Sequence, residues 1–154
     1  MSIEEKFPLE SAIINLVLSH RSITTKRIRA LGLYPGQDVI LLELLDHDDC
    51  LQNDLVNALG IDHSTVTKSV SRLQRNAIVT THKSTVDRRA TLVSLTSKGR
   101  HLAQQVSEIW TSVEQLGFQT LTPAEQTSYL QLMHHITATF NQADQAPADS
   151  APKS

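Results

Sequence analysis

Residues 51–95 read LQNDLVNALG IDHSTVTKSV SRLQRNAIVT THKSTVDRRA TLVSL, and the middle of this stretch decides the fold. Val66, Val70 and Leu73 recur at positions i, i+4 and i+7, which is the spacing of one helical face. This spacing predicts a helix over residues 63–76 that buries these three side chains and turns its other residues outward.

A shorter helix is predicted immediately before this one. Residues 51–59 place their leucines on one helical face, and Gly60 is the residue type that most often ends a helix. Asp62 is predicted to cap the helix that follows, because a carboxylate accepts the free backbone N–H groups of a first turn. Two short helices joined by so few residues indicate a helix-turn-helix.

The hydrophobic period then changes from that of a helix to that of a strand. Residues 78–83 and 91–95 are rich in β-branched side chains and flank the polar segment 84–88. Two such runs around a short polar loop predict a β-hairpin. The predicted fold is therefore mostly α with a small antiparallel β wing, that is, a winged helix-turn-helix lobe with further helices around it.

The outward face of the predicted helix over residues 63–76 is polar and basic. A helix of this kind fits the major groove of DNA and presents side chains of its N-terminal end to base edges. Small hydroxyl groups permit close approach and can bond bases or phosphates, whereas lysine and arginine follow the phosphate backbone or reach guanine. The candidate DNA-binding residues of this helix are Ser64, Thr65, Thr67, Lys68, Ser71, Arg72 and Arg75.

The charge of the chain is unevenly distributed. The net charge of −2 by itself argues against a nucleic-acid partner, but residues 62–100 carry eight basic and two acidic side chains, which leaves −8 for the remaining residues. A basic stripe on an acidic body is what a phosphate-binding surface requires. A solvated charged face explains the same pattern, so charge alone leaves both interpretations open.

Long helices are predicted on both sides of this lobe. Residues 8–31 follow a helical spacing, and a second long helix opens near residues 96–99. Thr122, Pro123 and Glu125 form a capping box with a favourable proline, which predicts the start of another helix. Residues 141–154 are dominated by Ala, Asp, Pro, Ser and Gln and are predicted to be a disordered tail.

The order of these motifs resembles the multiple-antibiotic-resistance-regulator (MarR) family of winged helix-turn-helix transcription regulators. The resemblance covers residues 8–140. Each matching stretch is weak alone, but their order and spacing together are specific. The stretches are YPGQ (34–37), LVNALGI (55–61), STVTK (64–68), VSRL (70–73), IV (78–79), DRR (87–89) and VSLTSKG (93–99).

The resemblance implies a single domain over residues 1–140 that forms a homodimer on double-stranded DNA. In the family, helices from both chain ends interlace, and this maps onto residues 8–31 and 100–140, with the DNA-binding lobe over 34–99. The family's Asp-x-Arg pattern lies at the tip of the wing. Asp87 would brace the loop by pairing with an arginine, and Arg88 or Arg89 would enter the minor groove; which of the two does so stays open.

The resemblance also implies regulation by a ligand. Many family members bind small phenolic or carboxylate molecules between the dimer region and the DNA-binding lobe. The chain is therefore expected to be a repressor that such a molecule releases from a near-palindromic operator. The basic residues Arg21, Lys26, Arg27 and Arg29 could face that pocket or the DNA, so the ligand-binding residues stay unassigned.

Cys50 is a candidate redox residue, because some family members sense oxidants through a cysteine. A reactive thiol needs a pKa lowered by nearby positive charge. The neighbouring Asp48 and Asp49 have the opposite sign, which argues against this role. A single cysteine also excludes a disulfide within the chain.

Neither a metal site nor a cofactor is expected. His134 and His135 are adjacent and point about 100° apart on a helix, so they cannot chelate one ion from one face. His47 lies among three aspartates, which we interpret as a solvated turn. Trp110 and Tyr129 could line a pocket for an aromatic ligand, but packing in the core or in a dimer is the more common role.

Other classes of protein are disfavoured by what the sequence lacks. It shows no catalytic spacing, so an enzyme is not expected, and no apolar run approaches the roughly 20 residues of a membrane-spanning helix. The acidic start does not resemble a signal peptide, so the cytoplasm is the expected location. The alternative is a winged-helix module that binds proteins and not DNA, although such modules usually expose apolar anchors where this face is polar and basic.

Overall fold

The computed structural model describes residues 2–145 and confirms the predicted fold class, since helices surround a small antiparallel sheet. The first half of this range contains α1 (Ile3–Lys6), α2 (Pro8–Ala30), α3 (Gln37–Asp46), β1 (Cys50–Leu51), α4 (Gln52–Leu59) and α5 (His63–Arg75). The second half contains β2 (Val79–Lys83), β3 (Thr91–Leu95), α6 (Ser97–Phe118) and α7 (Pro123–Gln145).

The helix-turn-helix of α4 and α5 forms as its periodicity predicts. Gly60 ends α4 in the left-handed conformation with φ of 60°, and Asp62 caps α5. Val66, Val70 and Leu73 are 0–3% exposed and belong to the core together with residues of α3, α4, the sheet and α6. The polar side of α5 therefore faces away from the core.

The sheet has three strands in the order β1-β3-β2, and all pairs are antiparallel. The predicted hairpin is present, with Val79 opposite Leu95 and Lys83 opposite Thr91. The sequence did not predict β1, which places Leu51 in a strand and not in the helix assigned to it. A strand of two residues contains no period to detect, and only pairing with β3 defines it.

The acidic turn before β1 is exposed to solvent, as expected, and its aspartates also make specific contacts. The carboxylate of Asp48 accepts a hydrogen bond of 2.9 Å from the backbone N–H of Leu95 and pairs with the guanidinium of Arg100. Asp49 accepts a hydrogen bond from Ser94 and lies 3.2 Å from the ring of His82. The turn therefore fastens β1 to both strands of the wing and to α6.

The start of α6 lies very close to the beginning of β2. A Cβ atom placed on Gly99 would lie 1.9 Å from the carbonyl oxygen of Ile78, so only glycine fits there without displacing backbone. The backbone N–H of Thr96 donates to the Ile78 oxygen at 3.1 Å, and the hydroxyl of Thr96 donates to the carbonyl of Ala77 at 2.7 Å, with the Ile78 oxygen at 3.1 Å. These contacts fix the base of the wing to α6.

The contacts of the chain divide it between Val113 and Glu114 into two compact units. In the first unit the 23 residues of α2 bury only Ser11 and Ile28. In the second, α7 contains no buried residue. No helix within residues 2–145 is both long enough and apolar enough to cross a membrane.

The predicted disordered tail begins too early. Residues 141–145 continue α7, because alanine and glutamine extend a helix that has already formed. The rest of the predicted tail, residues 146–154, lies outside the described residues. The predicted capping box is present, since Glu125 N–H donates to the Thr122 hydroxyl and the Glu125 carboxylate accepts from the Thr122 backbone N–H.

Candidate nucleic-acid interface

The first turn of α5 is organised by the carboxylate of Asp62. One carboxylate oxygen accepts from the backbone N–H of Thr65 at 2.9 Å and from the hydroxyl of Ser64 at 2.5 Å, and the other accepts from the hydroxyl of Thr65 at 2.6 Å. These hydrogen bonds, led by that from Ser64, hold the pKa of Asp62 well below its usual range. The predicted cap is confirmed, and it also engages both neighbouring hydroxyl groups.

Thr67 connects α5 to α4. Its hydroxyl donates to the backbone carbonyl of His63 and accepts from the side-chain amide of Gln52, each at 2.8 Å. The candidate residue Thr67 thus lies at the edge of the α5 face that is nearest to α4.

The rest of the α5 face is exposed. Lys68, Ser71 and Arg75 lie along it. Arg72 is also exposed, but its guanidinium lies over the ring of Tyr34 at 5.2 Å from the ring centre. This cation–π contact places Arg72 at the opposite edge of the face from Thr67, beside the turn between α2 and α3.

The loop of the wing is braced by its own backbone. Ser84 N–H donates to the Ala90 carbonyl at 3.1 Å, which closes a loop of residues 84–90, two residues longer than the predicted loop. The carboxylate of Asp87 accepts from the backbone N–H of Arg89 at 2.9 Å. The three ion pairs within the described part of the chain do not include Asp87, so the expected pairing with an arginine side chain was wrong.

The tip of the wing is exposed. Arg88 and Arg89 are both exposed there, and Val86, which the sequence analysis did not select, is 96% exposed beside them. A cleft of about 220 Å³ separates the wing from the helix-turn-helix. Of the candidate residues only Arg89 lines it, and the analysis missed Gln52, Asn53 and His63, because helical periodicity does not report which residues meet a distant loop.

A second cleft lies on the basic half of α2. It is open, measures about 560 Å³, and is lined by Leu18, Arg21, Ser22, Thr25, Lys26, Arg29 and Pro35. Arg27 points elsewhere and donates to the hydroxyl of Ser112 at 2.5 Å. Among the basic residues left open between ligand and DNA, the structure therefore groups Arg21, Lys26 and Arg29 around this cleft.

The two aromatic residues that could have lined a ligand pocket lie in different units. Trp110 donates from its indole N–H to the buried carboxylate of Asp38 at 3.1 Å and also lines a smaller groove of about 210 Å³. Tyr129 packs against Phe118 with 5.1 Å between ring centres. Tyr129 therefore has a packing role. Trp110 forms a structural hydrogen bond and also lines a groove.

The fold matches solved structures over most of their length. BpsR of Bordetella bronchiseptica, whose DNA binding is regulated by 6-hydroxynicotinic acid, has a TM-score of 0.74 and 28% identity over 84% of this chain and 98% of that chain. A mutant of MarR from E. coli in complex with operator DNA has a TM-score of 0.78 and 20% identity over 88% of this chain and 99% of that chain. Residues 31–90 match the family model described as the MarR family. The chain therefore resembles the MarR family, in sequence over these residues and in fold over most of its length.

The matched residues 31–90 include α3, α4, α5 and the wing loop, which together carry every candidate DNA-binding residue. The HTH-type transcriptional repressor NicR of Pseudomonas putida is 29% identical over 100 residues. The aligned part covers 65% of this chain and 63% of NicR, so the chain spans less than two thirds of that relative.

Cys50 has an environment that suppresses thiolate formation. Burial of the half-buried side chain raises the pKa of Cys50 from 9.0 to about 11, and the carboxylates of Asp54, Glu43, Asp48 and Asp49 act in the same direction. The thiolate is the reactive form of cysteine. A candidate redox role for Cys50 is therefore disfavoured by both burial and charge.

We predict that the alkylation rate of Cys50 by iodoacetamide rises about tenfold per pH unit from pH 7 to pH 10, because the thiol stays mostly protonated in this range. The control is the chain unfolded in urea. Its alkylation rate should level off near pH 9, because the thiol there has its ordinary pKa. A folded-state rate that levels off below pH 8, or a loss of DNA binding in peroxide that Cys50→Ser abolishes, would show that Cys50 is a redox sensor.

Proposed function

We propose that this chain is a DNA-binding transcription regulator of the MarR family, and specifically a repressor that acts as a homodimer and is released from DNA by a small carboxylate. The observation that carries the proposal is the polar and basic face of α5, held outward by the buried side of the same helix and placed beside a braced wing. It is not proposed to be an enzyme.

The geometry of α5 and the wing supports binding to DNA. A capped helix whose exposed side carries hydroxyl groups and Lys68 can enter a major groove, and an exposed arginine on a neighbouring hairpin can reach the adjacent minor groove, where A·T tracts concentrate negative potential. Arg88 and Arg89 are the candidates for the minor groove, and Arg75 follows the phosphate backbone at the end of α5.

The alternative, a module that binds proteins through the same face, has less support. Protein interfaces depend on a few buried aromatic or aliphatic anchors. None of the large apolar side chains that are exposed in the described residues lies on α5. Val86 at the tip of the wing is isolated, and a single exposed apolar residue does not make an interface.

The homodimer is supported by the exposed apolar residues of α2 and α7. Leu9, Ile14, Leu16, Val17 and Leu18 of α2 and Leu130, Leu132 and Phe140 of α7 are 48–80% exposed in the single chain. Large apolar side chains exposed in such numbers on a helix mark an interaction site on that helix. A second copy of the chain is the proposed partner, as in the interlaced ends that the family resemblance implies, and it would present two α5 helices on one side of a duplex.

The effector is proposed to bind in the cleft of Arg21, Lys26 and Arg29. Cationic side chains form strong charge-assisted hydrogen bonds with a carboxylate, and Leu18 and Pro35 supply apolar surface for a ring. The proposal also draws on BpsR, which is 28% identical and whose DNA binding is regulated by 6-hydroxynicotinic acid. A small aromatic carboxylate is therefore the proposed chemical class.

We predict that Arg75→Ala lowers the slope of log affinity against log salt by about one unit, because it removes one phosphate contact. Arg89→Ala should weaken binding most at sites with A·T-rich flanks. Fluorescence anisotropy with selected and scrambled duplexes measures both effects, and Lys6→Ala in α1 is the control for loss of charge. Unchanged affinity and slope in both variants would contradict DNA binding by this face and would favour the protein-binding module.

We predict that the intact chain sediments as a dimer at micromolar concentration and that Phe140→Glu converts it to a monomer. Phe140 is 56% exposed in the single chain, so a charge there does not disturb its fold but must be buried in a dimer that uses this face. Gln142→Glu adds the same charge on the other side of α7 and should leave the dimer intact. A well-folded monomer of the unmodified chain would contradict the proposed dimer.

We predict that 6-hydroxynicotinic acid binds the chain and weakens its affinity for DNA, and that Arg21→Gln lowers the affinity for this acid about tenfold through loss of one charge-assisted bond. Calorimetry measures the binding, with Lys6→Gln as the charge control. 2-Pyridone, which lacks the carboxylate, should not bind. Equal binding of the two compounds, or no effect of Arg21→Gln, would reject the carboxylate site.

A further inference from the structure

Three hydroxyl groups of the proposed interface have their hydrogens engaged inside the protein. Ser64 and Thr65 lie 2.5 and 2.6 Å from oxygens of the Asp62 carboxylate, and Thr67 lies 2.8 Å from the carbonyl oxygen of His63. An ionised carboxylate and a backbone carbonyl only accept hydrogen bonds. Each of the three hydroxyl groups must therefore be the donor in its contact.

The number of hydrogen bonds that these hydroxyl groups can still form follows from their chemistry. A hydroxyl has one hydrogen and two lone pairs. With the hydrogen engaged, Ser64 and Thr65 can only accept a further hydrogen bond. The Thr67 oxygen already accepts from Gln52 and also lies 3.3 Å from Nδ1 of His63, so its bonding capacity is taken up inside the protein. Ser64 and Thr65 therefore present acceptors to whatever approaches α5.

The possible partners in DNA then divide into two classes. Phosphate oxygens, N7 and O6 of guanine, N7 of adenine and O4 of thymine are all acceptors, so they find no donor in these hydroxyl groups. The amino groups at N6 of adenine and N4 of cytosine are donors in the major groove. The charge of Asp62 acts in the same direction, because it repels phosphate and attracts an amino hydrogen.

We propose that Asp62 fixes Ser64 and Thr65 as hydrogen-bond acceptors, and that the first turn of α5 thereby selects bases that present an amino group in the major groove. The proposal rests on the proposed binding of α5 to DNA and adds the chemistry of the selected base. It also corrects the expectation that these hydroxyl groups bond phosphates, and it assigns phosphate binding to the lysine and arginine side chains of the interface.

The test begins with selection of preferred duplexes by the full-length wild-type chain from a random pool. In a selected site, each adenine is then replaced in turn by purine, which lacks the N6 amino group, and each cytosine by 2-pyrimidinone, which lacks the N4 amino group. At the base that faces this turn, we expect the wild type to lose about fivefold to tenfold in affinity, as for one lost hydrogen bond. Replacement of an adenine there by 7-deazaadenine removes N7 but keeps the amino group, so it is the matched control and should change little.

Variants assign the effect to its residues. The double variant Ser64→Ala, Thr65→Val lacks both acceptors. We expect it to bind the duplex with the amino group and the duplex without it with equal affinity. In Asp62→Ser, a side chain that still caps α5, the hydroxyl groups regain freedom to donate, and discrimination between adenine and purine should fall. A thermal unfolding curve close to that of wild type shows that the helix has formed. A variant that merely damaged the fold would weaken binding to all duplexes equally and would leave the ratio of adenine to purine unchanged.

The outcomes separate this proposal from the proposed function. The acceptor assignment is overturned if the wild type binds DNA selectively but loses no affinity for any duplex that lacks a base amino group. It is also overturned if the variants keep the wild-type ratio of affinities for the adenine and purine duplexes. In both cases DNA binding stands. If the chain binds no duplex at all, both proposals fail. A ratio that falls in Asp62→Ser and in the double hydroxyl variant, with salt slopes unchanged, supports the assignment.

Discussion

Burial of Val66, Val70 and Leu73 on one side of α5 is the constraint from which the rest of the interface follows. Because these side chains are almost completely enclosed by the core, α5 cannot rotate about its axis without exposing them to water. The side that carries Lys68, Ser71 and Arg75 is therefore held outward by packing and not by any contact of its own. A surface fixed in this way is available to a partner without a further cost of ordering the helix.

The wing is held to the same core by contacts between polar groups. Asp48 joins the turn before β1 to Leu95 and Arg100, and Gly99 permits α6 to approach the backbone at Ile78. Since α5 leads directly into β2, the helix and the hairpin share one support. Their relative placement is thus set by the fold itself.

The features that the sequence predicts depend on residues close together in the chain, and the features that it misses depend on contacts between distant residues. The bounds of α2 and α5, the cap at Asp62 and the pairing of β2 with β3 depend on residues close in sequence, so periodicity and capping rules find them. Contacts such as Arg72 with Tyr34 and Asp48 with Arg100 join residues far apart in sequence. No local pattern reports these, which is why the contacts of the acidic turn were not foreseen and β1 was missed.

The proposed interface separates affinity from base selection, and the separation has a physical origin. The hydroxyl groups at the start of α5 have given their hydrogens to Asp62 and His63, so neutralisation of phosphate is left to the exposed cations of α5 and the wing. Phosphate contacts release counterions and weaken with salt, whereas a hydrogen bond from a base amino group to a neutral oxygen releases none. In the proposed complex, the first turn of α5 contributes to selectivity at any ionic strength, while the basic residues determine how much of the complex persists as salt rises.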